Sequence, residues 1–171
     1  MAGDDMTTQP QLLPISLNGA DVVYTPDWVA KDMVDWFKPS GRILEPSAGD
    51  GVFLRYLPKD TLWCEIEKGR DFFAFNERVD WIVGNPPYSI ANQWLRHSFS
   101  LSDDIVYLLI LTMPFYSAGF YKTVLSWGGI SHIRYYGRGR EIGIVAEMGR
   151  PFAAIHFSKS ATCTTYSRWT Q

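Results

Sequence analysis

The sequence has few of the side chains that build disulfides, metal sites or hydrolytic triads. Its two cysteines, Cys64 and Cys163, lie about a hundred residues apart and form no Cys-x-x-Cys pair, so neither a disulfide framework nor a cysteine metal site is expected. The three histidines share no metal-ligand spacing and predict no Ser-His-Asp arrangement. Hydrolysis and metal chemistry are therefore disfavoured.

Long apolar runs are also missing. No stretch approaches the roughly 18 residues that a membrane-spanning helix needs, and the first residues lack the basic start and apolar stretch of a signal peptide. We therefore expect a cytoplasmic protein that has no membrane partner. The length of 171 residues predicts one folded domain, residues 12–171, after a flexible N-terminus, residues 1–11.

Charge is distributed unevenly along the chain. The formal net charge is −2, but residues 119–171 hold 7 Lys and Arg against 2 Asp and Glu. Such a basic region suits a polyanion, although solvated surface arginines produce the same pattern. Its candidate nucleic-acid contacts are Lys122, Arg138 and Arg140.

Apolar periodicity predicts strands that alternate with helices. Helices are expected over residues 26–37, 52–57, 90–99 and 118–127, and strands over residues 42–44, 61–64, 81–83, 105–111, 130–136 and 152–157. This alternation indicates a mostly parallel sheet that has helices on both faces and an antiparallel pair at its end. Ligands of such sheets bind beyond the carboxyl ends of the strands.

Two glycines, Gly49 and Gly51, lie in the turn after the first predicted strand. Glycine lets the backbone pass close to a ligand, but any turn between a strand and a helix can contain two glycines. Glu65 follows the next strand, where an acidic side chain can accept both hydroxyls of a ribose. Together these residues indicate a cofactor that contains a nucleoside.

The tetrapeptide Asn85-Pro86-Pro87-Tyr88 follows the third strand. Two prolines fix the backbone, so the Asn85 side-chain oxygen and the Pro86 carbonyl can act as a rigid pair of acceptors beside the flat face of Tyr88. This arrangement suits a planar amine with two N–H donors. Holding both protons favours pyramidal geometry at a weakly nucleophilic nitrogen and directs its lone pair at an incoming methyl group.

The order of these motifs resembles that of the adenine-specific amino-methyltransferases of DNA in which the cofactor motifs precede the catalytic one. The resemblance covers about residues 12–160 and rests on Tyr24-Thr25-Pro26, Leu44 to Phe53, Glu65, Asp71-Phe72-Phe73 and Ile82 to Tyr88. It implies an α/β chain with a Rossmann-like class I methyltransferase fold. It also implies S-adenosylmethionine as the cofactor and DNA, rather than RNA, as the partner.

The resemblance further assigns roles to individual residues. Cofactor contacts are implied for Tyr24, Thr25 and Pro26 at the methionine end, for Glu45, Pro46, Ser47, Gly49 and Gly51 in the cradle, for Glu65 and Ile66 at the ribose, and for Asp71 and Phe72 at the adenine. Asn85, Pro86, Pro87 and Tyr88 are implied to hold the target base for catalysis. Phe152 is matched to an aromatic ring that stacks on the flipped base.

Three features depart from that family. Only five residues separate Glu65 from Asp71, so we expect a sheet shortened at that edge, where Glu67 competes with Glu65 for the ribose. No target-recognition domain is expected, so sequence preference would come from loops or from a separate specificity partner, or would be weak. A homodimer is the other partner left open. The glycine- and arginine-containing loop over residues 137–149 is either the element that faces the substrate or a solvated loop.

Several alternatives remain open. An amino group of RNA or a glutamine side-chain amide would present a similar planar nitrogen to Asn-Pro-Pro-Tyr. Cytosine-N4 enzymes more often have serine in place of Asn85, and cytosine-C5 enzymes need an attacking cysteine. From another class, the chain could be an inactive cofactor-binding or interaction subunit, although the intact motifs argue against this.

Overall fold

A seven-stranded sheet runs through the centre of the computed structural model, which describes residues 23–115, 118–144 and 149–170. The predicted flexible N-terminus, residues 1–11, lies outside the described residues. In chain order the elements are α1 (Asp27–Phe37), β1 (Ile43–Glu45), β2 (Leu62–Trp63), β3 (Trp81–Gly84), α2 (Ala91–Leu101), β4 (Asp104–Ile110), α3 (Ala118–Trp127), β5 (Gly129–Arg138), α4 (Gly139–Ile142), β6 (Pro151–Ser158) and β7 (Thr165–Arg168).

The sheet is parallel on one side and mixed on the other. Its strand order is β2-β1-β3-β4-β6-β5-β7. The first four of these strands are parallel, β6 runs antiparallel between β4 and β5, and β7 is parallel to β5. The predicted mostly parallel sheet is therefore confirmed, and so is its short edge, because β2 has only two residues.

Helices cover both faces of the sheet, as predicted. On one face the inward side chains of β3 and β4 pack against Trp94 and Leu95 of α2 and Phe120 of α3. On the other face they pack against Val29 and Met33 of α1. Residues 105–110 of β4 are buried throughout, which agrees with a strand covered on both sides.

Helix α1 begins one residue later than expected. Pro26 occupies the N-cap rather than the first helical position, and its carbonyl accepts from the Val29 N–H. The helix ends at Phe37, as predicted, because Lys38 adopts a left-handed conformation just before Pro39. Among the described residues, no helix is long and apolar enough to cross a membrane.

One further prediction needs correction, and one strand was missed. The helix expected over residues 52–57 is only a turn of 3-10 helix, Phe53–Arg55, because the span between Gly51 and Pro58 is too short for two capped α-helical turns. Strand β7 was not predicted, since its sequence Thr-Tyr-Ser-Arg has no alternating apolar pattern. It is held by parallel pairing to β5.

One edge of the sheet collects the functional motifs. The carboxyl ends of β1 to β5 and the amino end of β6 meet there, as the strand directions and registers require. We call this the carboxyl edge.

Candidate active site

A cleft of about 1270 Å³ opens at the carboxyl edge beyond β2, β1 and β3. The predicted cofactor residues that line it are Tyr24, Thr25, Pro46, Ser47, Gly49, Glu65, Ile66, Asp71 and Phe72, and the predicted catalytic residues that line it are Asn85 and Pro87. The volume is ample for a nucleoside-containing ligand, since small-molecule sites typically occupy ~300–1,000 Å³. Motifs that are distant in the sequence therefore share one cleft.

The side chain of Asn85 is held from its nitrogen end. Nδ2 donates to the carbonyl oxygen of Val23 at 2.8 Å, and because that partner is an acceptor, the amide orientation is determined. Oδ1 is buried and has no hydrogen-bond partner among the described residues. Ser47 Oγ donates to the Asn85 carbonyl at 3.0 Å and so joins the turn after β1 to the turn after β3.

Glu45 lies behind this junction and does not line the cleft. Its side chain is 1% exposed, and Oε1 accepts from the Ser47 N–H at 3.2 Å. A Cβ on Gly84 would come within 2.4 Å of Oε1, so a larger residue there would require the Glu45 side chain to shift. Burial raises the pKa of Glu45 to about 8, against the opposing hydrogen bonds from Ser47, and the carboxyl is therefore largely protonated at neutral pH.

Glu65 braces the glycine turn. Its Oε2 accepts from the Gly49 N–H at 2.6 Å, and its Oε1 accepts from the Glu67 N–H at 3.2 Å. A carboxylate has about four acceptor positions, so one position on each oxygen remains for a ligand. Gly49 has φ +50, and a Cβ at this position would meet nothing within 4 Å, which shows that the turn faces open space.

Lys68 and Glu67 also line the cleft. Lys68 Nζ donates to the Gly49 carbonyl at 2.8 Å, so both polar groups of the Gly49 backbone are held by the segment after β2. Sequence reasoning missed Lys68, because nothing in its spacing shows that its side chain reaches back to this turn.

The Asp71-Phe72 segment forms another wall of the cleft. Asp71 Oδ1 accepts from the Phe73 N–H at 2.9 Å and starts a turn of 3-10 helix, Phe72–Ala74. His97 of α2 contacts this turn through its Nε2 atom. The sequence prediction included no residue of α2, yet Gln93, Trp94, Arg96, His97 and Ser100 line the cleft. Their helical spacing after Tyr88 was the available signal.

The remaining predicted cofactor, catalytic and base-stacking residues are not among those that line the cleft in this conformation. Pro26 caps α1, and Gly51, at φ +83, donates its N–H to the Ala48 carbonyl. Pro86 is buried, whereas Tyr88 is half-buried and its ring lies 6.1 Å from that of Phe152. Phe152 is fully buried, so in this conformation it supports Tyr88 and offers no open face to a base.

The predicted basic contacts are all exposed. Arg138 and Arg140 lie where β5 ends at the carboxyl edge, whereas Lys122 lies within α3. Arg138 pairs in register with Pro151, and Glu141 accepts from the Arg138 N–H. In the strand order, β5 stands three places from β3, which corresponds to ~14 Å at the usual spacing of strands.

A Ser-His-Asp contact, which the sequence did not predict, lies at the opposite edge of the sheet. His156 contacts Ser131 Oγ through Nδ1 at 2.6 Å and Asp104 Oδ1 through Nε2 at 2.9 Å. The ring nitrogens are used in the reverse of the order found in hydrolytic triads, and burial lowers the pKa of His156. The contact therefore joins β4, β5 and β6 structurally.

Comparison with known proteins shows the fold. No protein-family model matches the sequence, and no curated protein matches it significantly. Similar solved structures include the modification subunit of a provisionally assigned type I restriction enzyme from Vibrio vulnificus, with 16% identity, 90% of this chain and 48% of that chain covered, and a TM-score of 0.64. A type I restriction-modification methyltransferase subunit from Streptococcus thermophilus has 16% identity, coverage of 85% and 46%, and a TM-score of 0.62.

A third similar structure is provisionally named a class I S-adenosylmethionine-dependent methyltransferase, from Listeria monocytogenes. It has 12% identity, coverage of 92% of this chain and 68% of that chain, and a TM-score of 0.61. The chain has the class I methyltransferase fold. It spans about half the length of the type I subunits that it matches. Within this class I fold, the cleft described above lies where ligands of α/β sheets bind.

Proposed function

We propose that the protein is an S-adenosylmethionine-dependent methyltransferase that acts on the exocyclic amino group of adenine in DNA. The observation that carries the proposal is the Oδ1 atom of Asn85. It is a buried acceptor without a partner among the described residues, and a hydrogen bond to Val23 fixes its orientation. An acceptor of this kind in a ligand cleft fits a planar N–H donor.

The cradle fits the proposed cofactor. Glu65 retains acceptor positions for two ribose hydroxyls after it has bound the N–H groups of Gly49 and Glu67. The exposed apolar side chain of Ile66 lies at the same wall, and Phe72 stands further along it. When bound, S-adenosylmethionine supplies an electrophilic methyl group.

The chain's own contribution to methyl transfer is positioning and electrostatics. An adenine amino nitrogen is a poor nucleophile because its lone pair is delocalised into the ring. We propose that Asn85 Oδ1 and the Pro86 carbonyl accept its two N–H groups and favour pyramidal geometry. The hydrogen bonds to these acceptors become stronger as the nitrogen becomes positive, so they stabilise the transition state more than the bound substrate.

The carboxyl edge supports a nucleic-acid substrate. Arg138 ends β5 and Arg140 follows it at the same edge as Asn85, and β5 stands three strand spacings, ~14 Å, from β3. That distance is compatible with phosphate contacts while a base is flipped out of its stack and inserted beside Asn85. Several similar structures are named as type I modification subunits, which favours DNA, and a partner subunit that helps to select the target sequence.

Methylation of a defined substrate panel tests this proposal. The protein is incubated with labelled S-adenosylmethionine and separately with duplex DNA, single-stranded DNA, RNA and a glutamine-containing protein, and the products are digested. We expect N6-methyldeoxyadenosine from DNA, and none from an Asn85→Ala control. If the label is confined to RNA, to glutamine or to cytosine, the proposed substrate is wrong. If no substrate is methylated, the proposal that the protein is a methyltransferase is wrong.

A further inference from the structure

Helix α2 joins the two halves of the cleft. It begins directly after the turn Tyr88–Ile90, which follows the Asn85 loop. Gln93, His97 and Ser100 of this helix line the cleft, and its Trp94 and His97 rings contact Phe72 and Phe73. A side chain on this helix can therefore position the cofactor wall relative to the target-base loop.

His97 makes such a connection. Its Nε2 atom lies 3.0 Å from the Phe72 carbonyl oxygen and 2.9 Å from the Phe75 carbonyl oxygen. Both partners are acceptors, so Nε2 carries the hydrogen and is shared between them. The imidazole ring also packs edge-on against the Phe72 ring at 4.7 Å and lies 5.5 Å from the Phe73 ring.

The segment that His97 holds has little regular structure of its own. A single turn of 3-10 helix, Phe72–Ala74, is followed by residues that form neither helix nor strand until β3 begins at Trp81. Only five residues separate Glu65 from Asp71, and they contain just one turn of 3-10 helix, Ile66–Lys68. Phe72 belongs to the core, and Phe73 and Phe75 pack against it. The hydrogen bond from His97 adds to this packing by restraining the backbone carbonyls of the turn.

We propose that His97 is a positioning residue for the adenine end of the cofactor, an inference that rests on the proposed function. By binding two carbonyls of the Phe72 to Phe75 turn, it keeps Asp71 and the backbone of Phe72, whose side chain is buried, where the cofactor's adenine would contact them. His97 itself need not touch the cofactor.

Binding of S-adenosylhomocysteine and of adenosine, measured by calorimetry, tests this role. His97→Phe keeps the ring contacts but removes the donor, and His97→Gln restores an N–H at a similar reach. We expect His97→Phe to weaken both ligands at least ~10-fold, because the turn loses the donor that its two part-buried carbonyls share, and His97→Gln to recover affinity to within ~3-fold. Asn92→Ala, at an exposed position of the same helix that does not line the cleft, is the matched control.

A measurement without ligand separates positioning from a general loss of stability. Amide exchange of residues 73–75, whose N–H groups bond within this turn, should accelerate in His97→Phe while exchange in β4 stays unchanged. If His97→Phe does not fold, the shorter His97→Asn, which cannot reach both carbonyls, replaces it with the same expectation.

The outcomes distinguish the two proposals. If the unaltered protein binds neither ligand, the proposed function fails. If it binds both and His97→Phe binds them equally well, or loses affinity for S-adenosylhomocysteine but not for adenosine, the role of His97 is overturned while the methyltransferase proposal stands.

Discussion

The Nδ2 atom of Asn85 donates a hydrogen bond to the carbonyl oxygen of Val23 across 2.8 Å. Val23 immediately precedes Tyr24 and Thr25, and all three residues line the cleft. The bond therefore ties the loop after β3 to the segment that enters α1. It also directs Oδ1 away from Val23, as an acceptor for a substrate N–H must be directed.

We predict that Asn85→Ala lowers single-turnover methyl transfer by at least ~100-fold, because an acceptor that strengthens in the transition state acts mainly on the rate constant. Cofactor affinity should remain close to that of the unaltered protein. Rapid-quench assays with both substrates saturating measure the first quantity, and calorimetry measures the second. Asn92→Ala serves as the control. Near-normal transfer by Asn85→Ala would show that Asn85-Pro86-Pro87-Tyr88 is only a structural turn.

The ribose assignment favours Glu65 over Glu67. Glu65 accepts from the Gly49 N–H and retains free acceptor positions, whereas Glu67 contributes its backbone N–H to Glu65. Glu65→Ala should therefore weaken S-adenosylmethionine binding by ~1.5–3 kcal/mol, as for a hydrogen bond to a charged group. Glu67→Ala, matched in chemistry and also on the cleft wall, should change affinity little, and the reverse ranking would transfer the role to Glu67.

The parts of the fold that the sequence predicted share one physical cause. Buried strands such as β1 and β3 are short apolar runs, and each delivers polar or glycine residues at its carboxyl end, so their parallel arrangement and the position of Asn85 followed from the pattern alone. Strand β7 could not be predicted, because it is held partly by side-chain contacts of Thr165 and Ser167 with His132. His97 was missed for a similar reason, since the role of a single polar residue in a helix depends on tertiary contacts that the sequence pattern does not show.

The contact between Gly84 and Glu45 gives a stability prediction. A Cβ at position 84 would overlap Oε1 of the buried carboxyl, so Gly84→Ala should destabilise the protein by ~1–3 kcal/mol, the usual cost of overpacking. In a Glu45→Ala background the same change should cost much less, because the opposing atom is gone. Urea unfolding of the four proteins in this cycle measures the coupling.

Gly119→Ala is the control for that cycle. Gly119 lies in α3, and an added Cβ there would meet nothing within 4 Å, so the substitution should be neutral or stabilising by up to ~1 kcal/mol. If Gly84→Ala lowers the free energy of unfolding equally with and without the Glu45 side chain, the overlap with Glu45 does not contribute to the loss of stability.

The basic residues at the carboxyl edge should set the salt dependence of DNA binding. Each phosphate contact contributes a slope of ~0.9 to the fall of log affinity with log salt. The double substitution Arg138→Ala with Arg140→Ala should therefore reduce the magnitude of that slope by ~2 and weaken binding to all sequences. Arg78→Ala, which removes a charge paired with Asp103 at the opposite edge, should leave the slope unchanged, and an equal effect of both variants would contradict an oriented interface.

The buried carboxyl of Glu45 makes the stability of the protein depend on pH. Its folded pKa is raised from 4.5 to about 8, chiefly by burial, so the folded state binds more protons than the unfolded state between these values. The stabilisation that Glu45 contributes is therefore complete below about pH 4.5 and is lost as the pH rises through 8, by an amount on the order of a few kcal/mol.

Glu45→Gln keeps an acceptor for Ser47 and replaces the protonated oxygen with an amide that cannot ionise. In this variant the decline of unfolding free energy between pH 5 and pH 8.5 should largely disappear, and at pH 8.5 the variant should be the more stable protein. Urea titrations at a series of pH values measure both quantities, and parallel pH profiles for the two proteins would show that Glu45 is ionised in the folded state at neutral pH.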